Sequence, residues 1–149
     1  MINVNKIAQT INKLVKDQLG WNIDVSNVNV FFMDVDNSFY NGEFIVIDSK
    51  LSDFDREINL VHEYMHYIQD CNYFFSYDGI DTFEDNEFER THEIDARLFS
   101  LLYINYVFGS EGVILLKSIL TKNIDSNNSN LISAINNVKH QELKDLLIA

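Results

Sequence analysis

Apolar residues recur at helical spacing near the start of the chain. They are Ile7, Ile11, Leu14, Val15 and Leu19, and Gly20 follows directly. Positions three and four apart share one face of a helix. Glycine is also the residue that most often closes a helix at its C-terminal end. The pattern predicts an amphipathic helix over residues 6–19.

Between residues 22 and 35 the spacing changes to the alternation that is typical of strands. The alternating apolar positions are Ile23, Val25, Val28, Val30 and Phe32. Two turn signals follow, residues 34–38 and Asn41-Gly42, and the second directly precedes the apolar run 44–47. Asn-Gly between apolar segments favours a tight hairpin. We therefore expect a small antiparallel sheet of two to four strands.

Helical spacing returns after residue 51. Ser52 and Asp53 suit the start of a helix over residues 53–71. One apolar stripe should face the core, and it consists of Phe54, Ile58, Val61, Met65 and Ile68. Residues 72–85 predict a long loop, and a second helix is predicted from residue 87 to about residue 108, ended by Gly109.

Further helices are predicted over residues 111–122 and about 129–148. No linker or repeat divides the chain. The prediction is one α+β domain over residues 1–149, in which a small antiparallel sheet packs on a pair of helices and additional helices follow.

Composition narrows the class of protein. With 149 residues and 46% apolar side chains, the chain can bury a core without disulfides, and Cys71 is its only cysteine. A lone thiol and apolar runs far shorter than the ~20 residues of a membrane span favour a cytoplasmic protein with no membrane segment. The net charge of −12 argues against nucleic-acid binding. A basic protein or peptide would suit this charge, although acidity that keeps the domain soluble is the simpler interpretation.

Residues 62–66, His-Glu-Tyr-Met-His, fit the pattern H-E-x-x-H inside the predicted helix 53–71. Residues four apart lie one above the other on a helix, so His62 and His66 can converge on one metal ion. Glu63 projects beside that pair, where it can deprotonate a zinc-bound water without itself binding the metal. Two ordinary polar histidines on an exposed helix face are the alternative. The mid-helix position after a β-rich segment favours a zinc site.

A hydrolytic zinc site needs a third protein ligand. The next predicted helix carries Glu89 and Glu93 one turn apart, so one could bind zinc while the other orients a histidine. His92 is a further alternative, although an ideal helix points it elsewhere. The residues alone leave these three open.

The motif at residues 62–66, together with Glu93-Ile94-Asp95-Ala96-Arg97-Leu98-Phe99-Ser100, resembles the gluzincin-type zinc metallopeptidases of the ImmA/IrrE group. In that group H-E-x-x-H is followed on a later helix by E-x-x-A-x-x-F and a small residue. The resemblance covers roughly residues 43–105. It implies Glu93 as the third zinc ligand and Ala96 as room for close helix packing. Tyr64 and Met65 depart from the small or aliphatic residues common within the motif.

By the same resemblance, the strand Phe44–Ile47 would be an edge strand that binds an extended peptide, with an ordinary core strand as the equal alternative. The resemblance also suggests regulatory proteolysis of a repressor in a phage or mobile element.

Oxyanion stabilisation needs a further donor. The candidates are Tyr73, Tyr77, Tyr103 and His92. Arg97 could pair with a substrate carboxylate or with Glu89, and a surface salt bridge is the simpler role.

The expected function is therefore zinc-dependent hydrolysis of peptide bonds in a protein or peptide substrate. Zn2+ would be held by His62, His66 and Glu93, with Glu63 as general base. A catalytically inactive binding protein that acts through its acidic surface is the alternative. Hydrolysis of another kind of amide is a third. The oligomeric state does not follow from the sequence.

Overall fold

The computed structural model describes residues 2–73 and 95–109. The chain divides into two compact units, Met1–Tyr73 and Phe74–Ala149. The first unit contains two helices and a three-stranded sheet, and a third helix lies in the second unit. This confirms the α+β class. The expectation of one domain across all 149 residues concerns how the units assemble, and it stays a prediction.

Helix α1 spans Val4–Leu19, beginning two residues before the predicted start. Asn3 caps it, because its side-chain oxygen accepts a hydrogen bond from the Lys6 amide at 3.1 Å. Gly20 ends it in the left-handed conformation, with φ of 70°. The apolar face is buried as expected, and its buried members are Ile7, Ala8, Ile11, Leu14 and Val15.

A short 3₁₀ turn, Val25–Asn27, occupies part of the segment that alternation assigned to a strand. The Asp24 carboxylate accepts hydrogen bonds from the Ser26 amide at 3.0 Å and the Ser26 hydroxyl at 2.6 Å, which starts the turn. Asn12 of α1 bonds both sides of this start, donating to Asp24 and accepting from the Val25 amide, each at 2.8 Å. These local polar bonds override the alternation of apolar residues.

The sheet contains β1 (Asn29–Met33), β2 (Phe39–Tyr40) and β3 (Phe44–Asp48) in the order β1-β3-β2. The β2–β3 hairpin is antiparallel, and Asn41 closes its turn by accepting from the Phe44 amide at 3.0 Å. β1 pairs with β3 in parallel. The sheet is therefore mixed, and the expectation of a purely antiparallel sheet was wrong. Alternation reveals which residues share a face of a sheet but carries no information about strand direction.

The apolar strand β3 lies in the centre of the sheet, with a partner on each side. The interpretation of Phe44–Ile47 as an edge strand was therefore wrong, and the alternative of a core strand holds. Ile45, Val46 and Ile47 are each at most 1% exposed. A strand that is buried on both faces is expected to be continuously apolar, and the central position satisfies both of its backbone edges.

Helix α2 spans Asp53–Asp70 and packs against β2 and β3. The Ser52 hydroxyl caps it, accepting from the Asp55 amide at 3.2 Å. Of the predicted stripe, Val61, Met65 and Ile68 are fully buried. The motif at residues 62–66 therefore lies on a helix whose apolar face is buried.

Helix α3 spans residues 95–109 and ends at Gly109, where φ is 74°. This confirms the end of the predicted second helix, whose first residues lie outside the described part of the chain. Most of its apolar side chains are buried, namely Ala96, Leu98, Phe99, Leu101, Leu102, Tyr103 and Ile104. Among residues 2–73 and 95–109, no helix combines the length and apolar character that a bilayer crossing requires.

Candidate metal centre

His62 and His66 occupy the same face of α2, one helical turn apart, and both side chains are half-buried. Their ring centroids are 4.9 Å apart, and the ring planes meet at 81°. The edge of one ring therefore approaches the other, as the four-residue spacing on a helix allows. The two imidazoles lie close together because both side chains leave the same face of α2 in the same direction.

The Nε2 atoms of His62 and His66 are 3.2 Å apart. Two nitrogens that bind one tetrahedral zinc ion at about 2.0–2.1 Å are separated by about 3.3 Å, so the pair has the spacing of two zinc ligands. Without a metal, the same distance suits a hydrogen bond in which one Nε2–H donates to the other ring. In both interpretations the two Nε2 atoms face each other, with two lone pairs directed at the ion in the metal site and one N–H and one lone pair in the hydrogen bond.

Glu63 lies between the histidines along the chain and is only 7% exposed. One ligand atom from each of His62, Glu63 and His66 lies within 4.8 Å of the others. Imidazole nitrogen and carboxylate oxygen are donors that zinc accepts, so these residues fit the ion. A carboxylate at this range can also reach a water between itself and the histidines. The cluster therefore offers two ligands and a base.

Gln69 approaches the other side of the His66 ring. Its Oε1 lies 2.9 Å from Nδ1 of His66, and the side chain is 2% exposed. Sequence reasoning missed this residue. The signal was present, because residues three apart on a helix are neighbours and Gln69 follows His66 at that spacing.

One turn further along α2, a phenol links the helix to the sheet. Tyr40 donates a hydrogen bond to the Asp70 carboxylate at 2.7 Å, and its ring meets that of Tyr67 edge-on. Burial raises the pKa of Tyr40, and its bond to Asp70 raises this pKa further. Burial likewise raises the pKa of Tyr67, with the Cys71 thiol as the next cause. Both phenols therefore stay neutral and serve as donors near neutral pH.

The chain was compared with family models, curated proteins and solved structures. No match was found in any of the three. The likeness to the ImmA/IrrE group therefore rests on the motif residues alone and stays a hypothesis.

Four residues singled out in the sequence lie outside the described part of the chain. They are Glu93, the third ligand that the resemblance implies, its alternatives Glu89 and His92, and the oxyanion candidate Tyr77. Their roles stay predictions.

The remaining candidates lie within the described residues. The Tyr73 ring lies beside Trp21 at 5.5 Å, and its hydroxyl donates to the Asn22 carbonyl at 3.4 Å. Tyr103 is 2% exposed on α3, and Arg97 is half-buried on the same helix. Cys71, at the end of α2, is a partly buried free thiol as expected. The contacts of Tyr73 favour a packing role for that phenol.

Proposed function

We propose that this chain is a zinc-dependent hydrolase that cleaves peptide bonds. The observation that carries the proposal is the pair of Nε2 atoms, 3.2 Å apart on His62 and His66, with the buried Glu63 carboxylate in the same cluster. That spacing matches two ligands of one tetrahedral zinc ion. The adjacent carboxylate separates this cluster from a purely structural two-histidine site.

When bound, zinc supplies a Lewis acid that lowers the pKa of a coordinated water to about 7. Glu63 then acts as the general base: it accepts a proton from the attacking water and passes it to the leaving amine. The site excludes much of the solvent around this carboxylate, since Glu63 is 7% exposed. His62 and His66 would hold the ion through their Nε2 atoms.

Glu93 is the proposed third ligand, by resemblance to the ImmA/IrrE group, with Glu89 and His92 as alternatives. The proposed substrate is a protein or peptide, and another amide would use the same zinc, water and base. A cytoplasmic setting and regulatory cleavage of a repressor complete the proposal. The third ligand, the substrate class and the regulatory role follow from the motif residues and the resemblance, whereas the cytoplasmic setting follows from the lone cysteine and the short apolar runs.

The first test is metal content. The protein is purified without chelators, and zinc per chain is measured by elemental analysis beside the His66→Ala and Glu93→Ala variants. We expect about one zinc in the wild type and much less in both variants, since each loses a ligand. Zinc retained in Glu93→Ala would move the third ligand to Glu89 or His92. Absence of zinc from every sample, even after zinc is added back, would refute the proposal.

The second test separates hydrolysis from binding. The zinc-loaded protein is incubated with a peptide library, and products are read by mass spectrometry. Glu63→Gln should keep its zinc and lose activity by roughly 10²–10⁴-fold, because the amide cannot accept the proton. Glu43→Gln, an exposed carboxylate in the β2–β3 turn, is the matched control and should retain activity. A zinc-loaded wild type that cleaves nothing would instead favour the inactive binding protein.

A further inference from the structure

Gln69 contacts a proposed metal ligand without belonging to the proposed ligand set. Its carbonyl oxygen lies 2.9 Å from Nδ1 of His66, while Nε2 of the same ring lies 3.2 Å from Nε2 of His62. The two nitrogens of His66 therefore face two different partners. The contact is also shielded from water, since Gln69 is 2% exposed.

A carbonyl oxygen only accepts hydrogen bonds, so this contact requires a hydrogen on Nδ1 of His66. A neutral imidazole carries one ring hydrogen, and the lone pair then lies on Nε2. Nε2 is the nitrogen that faces His62, and a metal binds only through a lone pair. The reverse orientation of the amide would present N–H to Nδ1, move the ring hydrogen to Nε2 and block metal binding there.

We propose that Gln69 is a positioning residue that holds His66 in its Nδ1–H tautomer and directs the Nε2 lone pair toward the point shared with His62. The metal-related part of this inference rests on the proposed zinc function, whereas the tautomer does not. This role is exerted through His66, so Gln69 is assigned as a positioning residue and not as a catalytic one. Partners of this kind fix the orientation of metal-binding histidines and raise their affinity for the metal.

A buried glutamine that only fills space is the competing explanation. Gln69→Met separates the two, because methionine has a similar length and no comparable acceptor. Gln69→Glu keeps an oxygen at the same position and should rescue what Gln69→Met loses. Gln18→Met on α1 is the matched control, since it makes the same substitution at an amide whose buried oxygen accepts no hydrogen bond from a histidine.

The first measurement uses the metal-free full chain at about pH 8.5, roughly two units above the ordinary histidine pKa of about 6.5. Long-range ¹H–¹⁵N NMR reports which nitrogen of His66 carries the hydrogen. We expect Nδ1–H in the wild type, in Gln69→Glu and in Gln18→Met, and a loss of this preference in Gln69→Met. An Nε2–H tautomer in the wild type, or an unchanged tautomer in Gln69→Met, would overturn the inference.

The second measurement titrates zinc alone, in competition with a chelating dye. Gln69→Met should bind zinc roughly 10–100-fold more weakly than the wild type, with Gln69→Glu close to the wild type. In the cobalt-substituted proteins, the visible absorption bands of Gln69→Met should differ from those that the wild type and Gln69→Glu share. Equal zinc affinity in the wild type and a folded Gln69→Met variant would overturn the positioning role. No zinc binding by the wild type, with the expected tautomer present, would refute the zinc function and leave the tautomer assignment supported.

Discussion

At the scale of single residues, Tyr64 combines a position inside the motif with complete burial. It lies between Glu63 and Met65 and is 1% exposed. Burial raises the pKa of Tyr64 to about 12, from an ordinary value of 10.0. The folded chain therefore binds this proton more tightly than the unfolded chain does. Its stabilising contribution is complete below about pH 10 and is lost as the pH rises toward 12.

We predict that Tyr64→Phe makes the fold less sensitive to alkali. A pKa raised from 10.0 to about 12 removes about 1.4 kcal/mol of wild-type stability between about pH 8 and pH 11. Phenylalanine keeps the packing and cannot ionise. Urea unfolding at both pH values measures the difference. Tyr106→Phe, a change at a phenol that is 38% exposed, is the control and should follow the wild type. Equal alkaline losses in the wild type and Tyr64→Phe would contradict the prediction.

The bond between Tyr40 and Asp70 gives a second residue-scale prediction. The phenol donates to the carboxylate at 2.7 Å and so ties β2 to the last turn of α2. Tyr40→Phe should lower the free energy of unfolding by about 1 kcal/mol, since a hydrogen bond is lost while the ring remains. A double-mutant cycle with Asp70→Ala, which removes the acceptor, measures the pairwise part. Two single effects that simply add would show that the bond contributes nothing.

At the scale of elements, the stability of α2 depends on the residue that caps its first turn as well as on its buried face. The Ser52 hydroxyl accepts from the Asp55 amide at 3.2 Å and satisfies one of the unpaired donors of the first turn. Ser52→Ala should destabilise the protein by about 1 kcal/mol, measured by urea unfolding at neutral pH. Ser52→Asp should restore the loss, because aspartate caps helices equally well. If Ser52→Ala left the free energy of unfolding unchanged, the first turn of α2 would be frayed in the folded chain.

The helices were more predictable than the sheet for a physical reason. Three-to-four spacing of apolar residues and a closing glycine are local signals, and they predicted α1 and the end of α3 within a few residues. The parallel pairing of β1 with β3 depends on the path of the chain across the sheet. No local pattern encodes that path.

Within the candidate site, too, contacts between residues close in the sequence could be predicted and contacts between distant residues could not. His62, Glu63 and His66 are brought together by one helix, so their spacing in the sequence sufficed to predict their proximity. The contact between Tyr40 and Asp70 joins residues 30 positions apart and needed the fold. Gln69 was within reach of sequence reasoning, because it lies on the same helix face as His66. Its burial, which shields the contact from water, could not be predicted from the sequence.

At the scale of the whole molecule, the net charge of −12 affects every metal measurement. Exposed carboxylates attract divalent cations weakly and without fixed geometry. A metal that binds only there should not distinguish zinc from magnesium, and its binding should weaken as salt screens the charges. Nitrogen ligands, in contrast, favour zinc strongly over magnesium. Selectivity therefore separates a built site from a charged surface.

This difference leads to a prediction about thermal unfolding of the full chain. A ligand that binds only the folded state at about 100 times its Kd adds about 2.7 kcal/mol of stability, which is roughly 5–10 °C in Tm for a chain of this size. We expect that rise with zinc and a negligible rise with magnesium at the same concentration. His66→Ala should lose the zinc effect, because one of two nitrogen ligands is gone, while Glu63→Gln should keep it. An equal zinc effect in His66→Ala and the wild type would place the metal on the acidic surface instead of between the two histidines.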